Sequence, residues 1–79
     1  MKIDVQLFAS LGRYAPSGEG ITPREVSLEE GATVGSLLDR LGIPSEVVKL
    51  VFVNGVHATG TTLLHDGDRV GVFPPVAGG

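Results

Sequence analysis

The sequence predicts an α+β domain of two layers, in which one amphipathic helix covers one face of a single β-sheet. Three observations lead to that class. Lys2 to Phe8 and Arg69 to Phe73 place apolar residues at every second position, the period of a half-buried strand. Thr33 to Leu41 carries apolar residues at helical spacing. Asn54-Gly55, the preferred pair for a two-residue hairpin turn, separates the β-prone run Leu50 to Asn54 from Val56 to Ala58.

Each element follows from local chemistry. In the first strand Ile3, Val5 and Leu7 point one way, and Asp4, Gln6 and Phe8 the other. Ala9 to Tyr14 suits a short helical turn, weakened by Gly12. Pro16 to Gly20 is a loop. Arg24 to Leu28 reads as a second strand with Val26 and Leu28 inward, reached by a connection long for a hairpin. In the helix Val34, Leu37, Leu38 and Leu41 fall at i, i+3, i+4 and i+7 and make one stripe. Thr33 is a suitable N-cap, Gly42 a suitable C′ residue, and Pro44 blocks continuation. Ser45 to Lys49 has the character of one more short turn, and Gly60 to Leu64 has no clear assignment. His65 to Asp68 is a turn. In the last strand Val70 and Val72 share a face and Phe73 takes the other. Pro74-Pro75 ends it, because neither residue donates to a ladder. The expected order is strand, strand, helix, strand, short strand, strand, with the first and last strands as the central pair. The domain then spans residues 1–75, and residues 76–79 form a flexible tail.

Composition narrows the function. At 79 residues the chain is one small domain. Leu, Ile, Val and Phe make 26 residues, too many for intrinsic disorder. The absence of Cys excludes a disulfide framework, a thiolate zinc site, an iron–sulfur cluster and a Cys nucleophile. A net charge of -3 with six Lys and Arg disfavours a phosphate-binding surface, so no nucleic-acid partner is expected. No apolar run approaches the roughly 20 residues of a membrane helix, and the N-terminus lacks a signal-peptide stretch. The expectation is a cytoplasmic, soluble domain. A chain this size has hardly room for a core and an enclosed active site together, which favours carrying or binding over catalysis.

Enzyme motifs are correspondingly weak. His57 and His65 have no third ligand at a metal spacing, so both read as surface histidines. Asp66-Gly67-Asp68 lacks the remaining positions of a calcium loop and reads as a turn. The serines have no nucleophile-elbow context, and Gly18-x-Gly20 has no following helix or phosphate-loop Lys. The terminal Gly78-Gly79 stands apart. Without Cβ atoms it is thin enough to thread a narrow channel, and an α-carboxylate there is ionised at neutral pH. Phe8 and Phe73, and with them His57, are expected together on the sheet face away from the helix, as a partner-docking patch.

The run from Asp66 to Gly79, a DGD turn, a hydrophobic strand ending in Phe73-Pro74-Pro75-Val76, one small residue and Gly-Gly, closely resembles the C-terminus of the small subunit of molybdopterin synthase. The resemblance extends to the first strand running into Phe8-Ala9, to Thr33-Val34 opening the helix, and to Val53-Asn54 before the hairpin. It thus spans nearly the whole chain. It implies a ubiquitin-like β-grasp fold with a mixed sheet, within the MoaD/ThiS sulfur carriers. It further implies that the protein is no enzyme by itself and binds no cofactor. An E1-like adenylyltransferase would use ATP to adenylate Gly79, and a sulfur donor acting through that enzyme would convert it to a thiocarboxylate. Val76, Ala77 and Gly78 would thread the large subunit of molybdopterin synthase. Phe8, His57, Phe73, Pro74 and Pro75 would form the docking surface. A sulfur carrier for thiamine or tRNA thiolation, a ubiquitin-like protein modifier, and a β-grasp binding module are the alternatives.

Overall fold

The computed structural model describes residues 1–14 and 24–75. Five strands form one sheet: β1 (Lys2–Leu7), β2 (Arg24–Ser27), β3 (Leu50–Val53), β4 (Val56–Ala58) and β5 (Arg69–Phe73). Their spatial order is β2-β1-β5-β3-β4. The central β1–β5 pair is parallel and the other three pairs are antiparallel, so the sheet is mixed. The helix α1 (Val34–Leu41) covers one face. Short 3-10 helices occupy Ala9–Tyr14 and Ser45–Val47, both near the turns expected there.

Burial follows the sequence periodicity. Ile3, Val5 and Leu7 of β1, Val70 and Val72 of β5, and Val34 and Leu37 of α1 are essentially sealed from solvent. Leu38 and Leu41 pack against this cluster from the helix margin. Leu11, from the 3-10 helix after β1, joins the same core. Thr33 caps α1 through a reciprocal capping box with Ser36, and Gly42 closes the helix at φ 73°. Two further N-terminal amides of α1, Val34 and Gly35, donate to the carbonyls of Thr62 and Gly60. A Cβ at Gly35 would lie 3.1 Å from the Gly60 oxygen, so a side chain here would push that carbonyl back by a few tenths of an ångström. The unassigned stretch before His65 therefore serves as the docking edge for the helix, and it delivers Leu64 to the core. The second strand ends at Ser27 rather than Leu28. Leu28 still packs on the core, and its amide still donates to the Met1 carbonyl.

Two turns are tied together at one end of the sheet. Asn54 and Gly55 have φ of 52° and 81°, the two positive values that a type I′ hairpin turn requires. Asn54 Nδ2 donates to Asp68 Oδ1 at 2.9 Å, and the Arg69 amide donates to Asn54 Oδ1 at 3.0 Å. The His65 amide donates to Asp68 Oδ2, and the Lys2 amide to Asp66 Oδ1. Gly67, at φ 87°, donates its amide to the Lys2 carbonyl. Both Asp side chains of the Asp66-Gly67-Asp68 turn thus accept from the backbone and staple β5 to β1 and β3.

Candidate functional site

The sheet face away from α1 carries a row of rings. Phe8 and Phe73 stack with centroids 4.1 Å apart and planes 6° from parallel. Phe52 meets Phe73 edge-on at 5.7 Å, and His57 meets Phe52 edge-on at 5.7 Å. The register explains the row. Leu7 is level with Val72, which brings Phe8, one residue on, beside Phe73; Phe52 pairs with His57 across β3 and β4. One ring thus comes from each of β5, β3 and β4 and from the end of β1, four neighbours in the sheet.

Gly71 lies beneath them. A Cβ there would sit 3.4 Å from both Phe8 and Phe73, in contact with both rings, which lie directly over this residue's backbone. The three phenylalanines are half-buried, His57 is exposed, and Leu50 at 39% exposure extends the apolar surface beside Phe73. The other end of this face is charged. Asp4 is level with Arg69, and Lys2 reaches Glu25 at 3.5 Å in an exposed pair that contributes little to stability.

Phe8, His57 and Phe73 thus occur together, as expected from strand parity. Phe52 was missing from that expectation, although it is the ring that joins His57 to the stacked Phe8–Phe73 pair. The signal was present: Val51 and Val53 point to the core, so Phe52 between them must face outward. The position of Gly71 beneath the rings had no signal of its own, since it depends on two rings from different strands.

The strand ends where the prolines begin. The Lys49 amide donates to the Phe73 carbonyl at 2.8 Å, after which Pro74 and Pro75 offer no N–H. Pro74 is half-buried and Pro75 exposed. The tail residues Val76, Ala77, Gly78 and Gly79 lie outside the described residues, as does most of the loop before β2. Among the described residues no three His, Asp or Glu side chains gather as a metal site, and no helix is long and apolar enough to cross a membrane. His65 is exposed, with Nδ1 3.8 Å from Asp68 Oδ2. Partial burial pushes the Asp68 carboxyl up. Hydrogen bonds from Asn54 and the His65 amide, with the His65 imidazole nearby, outweigh that and hold it below the ordinary carboxylate value.

Comparison with known proteins accords with this architecture. The ThiS family model matches residues 5–79. No curated protein sequence matches the chain. Among solved structures, SAMP1 from Haloferax volcanii is 27% identical over all of both chains, with a TM-score of 0.75. A Pyrococcus furiosus protein assigned as molybdopterin converting factor subunit 1 is 31% identical over 96% of this chain and 99% of its own, with a TM-score of 0.74. A protein from a Helicobacter pylori complex of molybdopterin-converting factor subunits 1 and 2 shares the fold, with a TM-score of 0.62 at 22% identity over all of both chains. The mixed sheet, the single main helix and a family match over almost the entire chain give one conclusion: the protein belongs to the ThiS family, as a small ubiquitin-like β-grasp protein of the ThiS/MoaD type that acts as a sulfur carrier or protein modifier rather than as a catalyst.

Proposed function

We propose that this protein carries sulfur for molybdopterin synthesis on the carboxylate of Gly79. The observation that carries the reading is the family match, which runs through residue 79 and so takes in Gly78-Gly79. The 31% identity to the Pyrococcus furiosus molybdopterin converting factor subunit favours the molybdopterin destination. In the proposed sequence a Gly79 carboxylate oxygen attacks the α-phosphate of ATP in an E1-like adenylyltransferase, and pyrophosphate leaves. Sulfur from a donor acting through that enzyme then attacks the acyl carbon, and AMP leaves with the bridging oxygen. The resulting thiocarboxylate enters the large subunit of molybdopterin synthase. Chemistry is supplied by the partners, and this chain supplies delivery. The ring row of Phe8, Phe73, Phe52 and His57 docks, as a half-exposed aromatic patch on a small domain is suited to do. Pro74-Pro75 stiffens the base of the tail, and Val76, Ala77 and Gly78 thread the partner.

The test is intact mass after incubation with the adenylating enzyme, ATP and a sulfide source, with ATP omitted as control. Exchange of one oxygen for sulfur, mapped to Gly79 and dependent on ATP, is the expected result. Alkylation separates it from oxidised Met1, which has the same nominal mass gain. An unchanged mass with a competent enzyme refutes the carrier chemistry. A second reading, conjugation to protein lysines, draws on the likeness to SAMP1, named in one structure small archaeal modifier protein 1. Conjugate ladders in cell lysate that vanish on deletion of Gly78-Gly79 would favour it.

A further inference from the structure

The Asn54-Gly55 turn is also a site of latent covalent chemistry. In a flexible chain the Gly55 backbone nitrogen, unhindered by a neighbouring Cβ, loses its proton to solvent base and attacks Asn54 Cγ. The Nδ2 group takes up a proton and leaves as ammonia, giving a five-membered succinimide. Water then opens either carbonyl, leaving aspartate or isoaspartate. The net change is one amide and one water to one carboxylic acid and one ammonia.

In the folded protein the Asn54 carboxamide is held at both ends. Nδ2 is bound by Asp68 and Oδ1 by the Arg69 amide, while the Asn54 amide donates to the Arg69 carbonyl at 2.8 Å. All three bonds cross to the start of β5 or the turn before it, and none involves Gly55. Cyclisation requires the carboxamide to leave two of them and the backbone to leave the turn geometry of φ 52° and 81°. We propose that Asp68 and the Arg69 amide lock Asn54 against deamidation, and that Asn54, exposed but held in place in the folded protein, becomes a modification site only when the β3–β4 end of the sheet opens. The change is self-trapping. An aspartate at position 54 no longer donates to Asp68 and sets a second carboxylate where the 2.9 Å bond had been. An isoaspartate adds a methylene to the backbone of a turn whose geometry is set by two residues, and so breaks the match between turn and strands.

The experiment follows ammonia loss at Asn54 by intact mass and isoaspartate-sensitive peptide mapping at mildly alkaline pH. It compares folded protein, the same protein in urea, and Asp68→Ala shown by circular dichroism to be folded. Folded wild type is expected to react on the order of tenfold or more slowly than unfolded chain, because reaction must wait for local opening. Folded Asp68→Ala should react faster than folded wild type. Equal rates for folded and unfolded wild type overturn the proposal without any variant, and so does a folded Asp68→Ala with the wild-type rate. Asn54→Asp should lower Tm, and an unchanged Tm overturns the self-trapping step.

Discussion

Truncating Phe73 to alanine separates docking from stability. The ring stacks on Phe8 at 4.1 Å and meets Phe52 edge-on at 5.7 Å, yet it is only half-buried. Full burial of a phenylalanine is worth about 1.5–3 kcal/mol, so half of that is about 1 kcal/mol. Aromatic contact adds about 1 kcal/mol. Phe73→Ala should therefore cost about 2 kcal/mol, against a total of about 4–12 kcal/mol for a chain this long. The variant stays folded, with Tm lower by about 10 °C. A double-mutant cycle with Phe8→Ala should give a coupling of about 1 kcal/mol in urea unfolding. If the ring row docks, the same truncation should weaken binding to the adenylating enzyme or the large subunit by about 2 kcal/mol or more, some 30-fold in Kd. Calorimetric titration under conditions where the variant is folded reads this directly. A Kd within twofold of wild type would refute the docking role. A coupling near zero would refute the energetic reading of the stack.

The other predictions concern the scaffold. Asp68→Ala should cost about 2 kcal/mol at neutral pH, since it removes the acceptor for the Asn54 side chain and the His65 amide. The folded Asp68 carboxyl lies below its unfolded value of about 3.9, so its contribution is fully present above that pH and is lost as pH falls through the folded value. The stability gap between wild type and variant should accordingly narrow in acid, and a gap independent of pH would contradict the ionised hub. Leu37→Ala empties a fully buried position beneath α1 and should cost about 2–5 kcal/mol, read as a lower urea midpoint at unchanged slope. Thr33→Ala removes the hydroxyl that accepts from the Ser36 amide, one arm of the capping box, and should cost about 1 kcal/mol, with helical circular dichroism otherwise retained at 25 °C.

Most of the fold was legible because its elements carry local signatures. Alternation at Ile3, Val5 and Leu7, and at Val70 and Val72, marks a buried face whatever lies against it. Thr33 and Gly42 mark helix ends through their own backbone chemistry, and Asn54-Gly55 selects its turn in the same way. The stretch before His65 was illegible for the opposite reason. Its work is to accept the Val34 and Gly35 amides and to bury Leu64, which depends on a helix some 25 residues earlier.

The site divides along the same line. The sequence by itself determined that Phe8 and Phe73 face away from the helix, since a side-chain period of two admits no other answer once Val5, Leu7, Val70 and Val72 are inside. It also determined that the ladder stops at Pro74. Tertiary structure alone decided how the rings meet. The parallel register of β1 on β5 sets Phe8 beside Phe73, β3 on the far side of β5 supplies Phe52, and Gly71 lies beneath the stacked pair. It decided too that Ala9, directly after Phe8, takes a φ of 51°, a left-handed conformation that costs a residue with a Cβ about 1–2 kcal/mol. No local preference of alanine asks for that conformation. It holds because Phe8 is bonded to the Val72 carbonyl on one side while Leu11 is sealed in the core on the other, and the chain must turn between them.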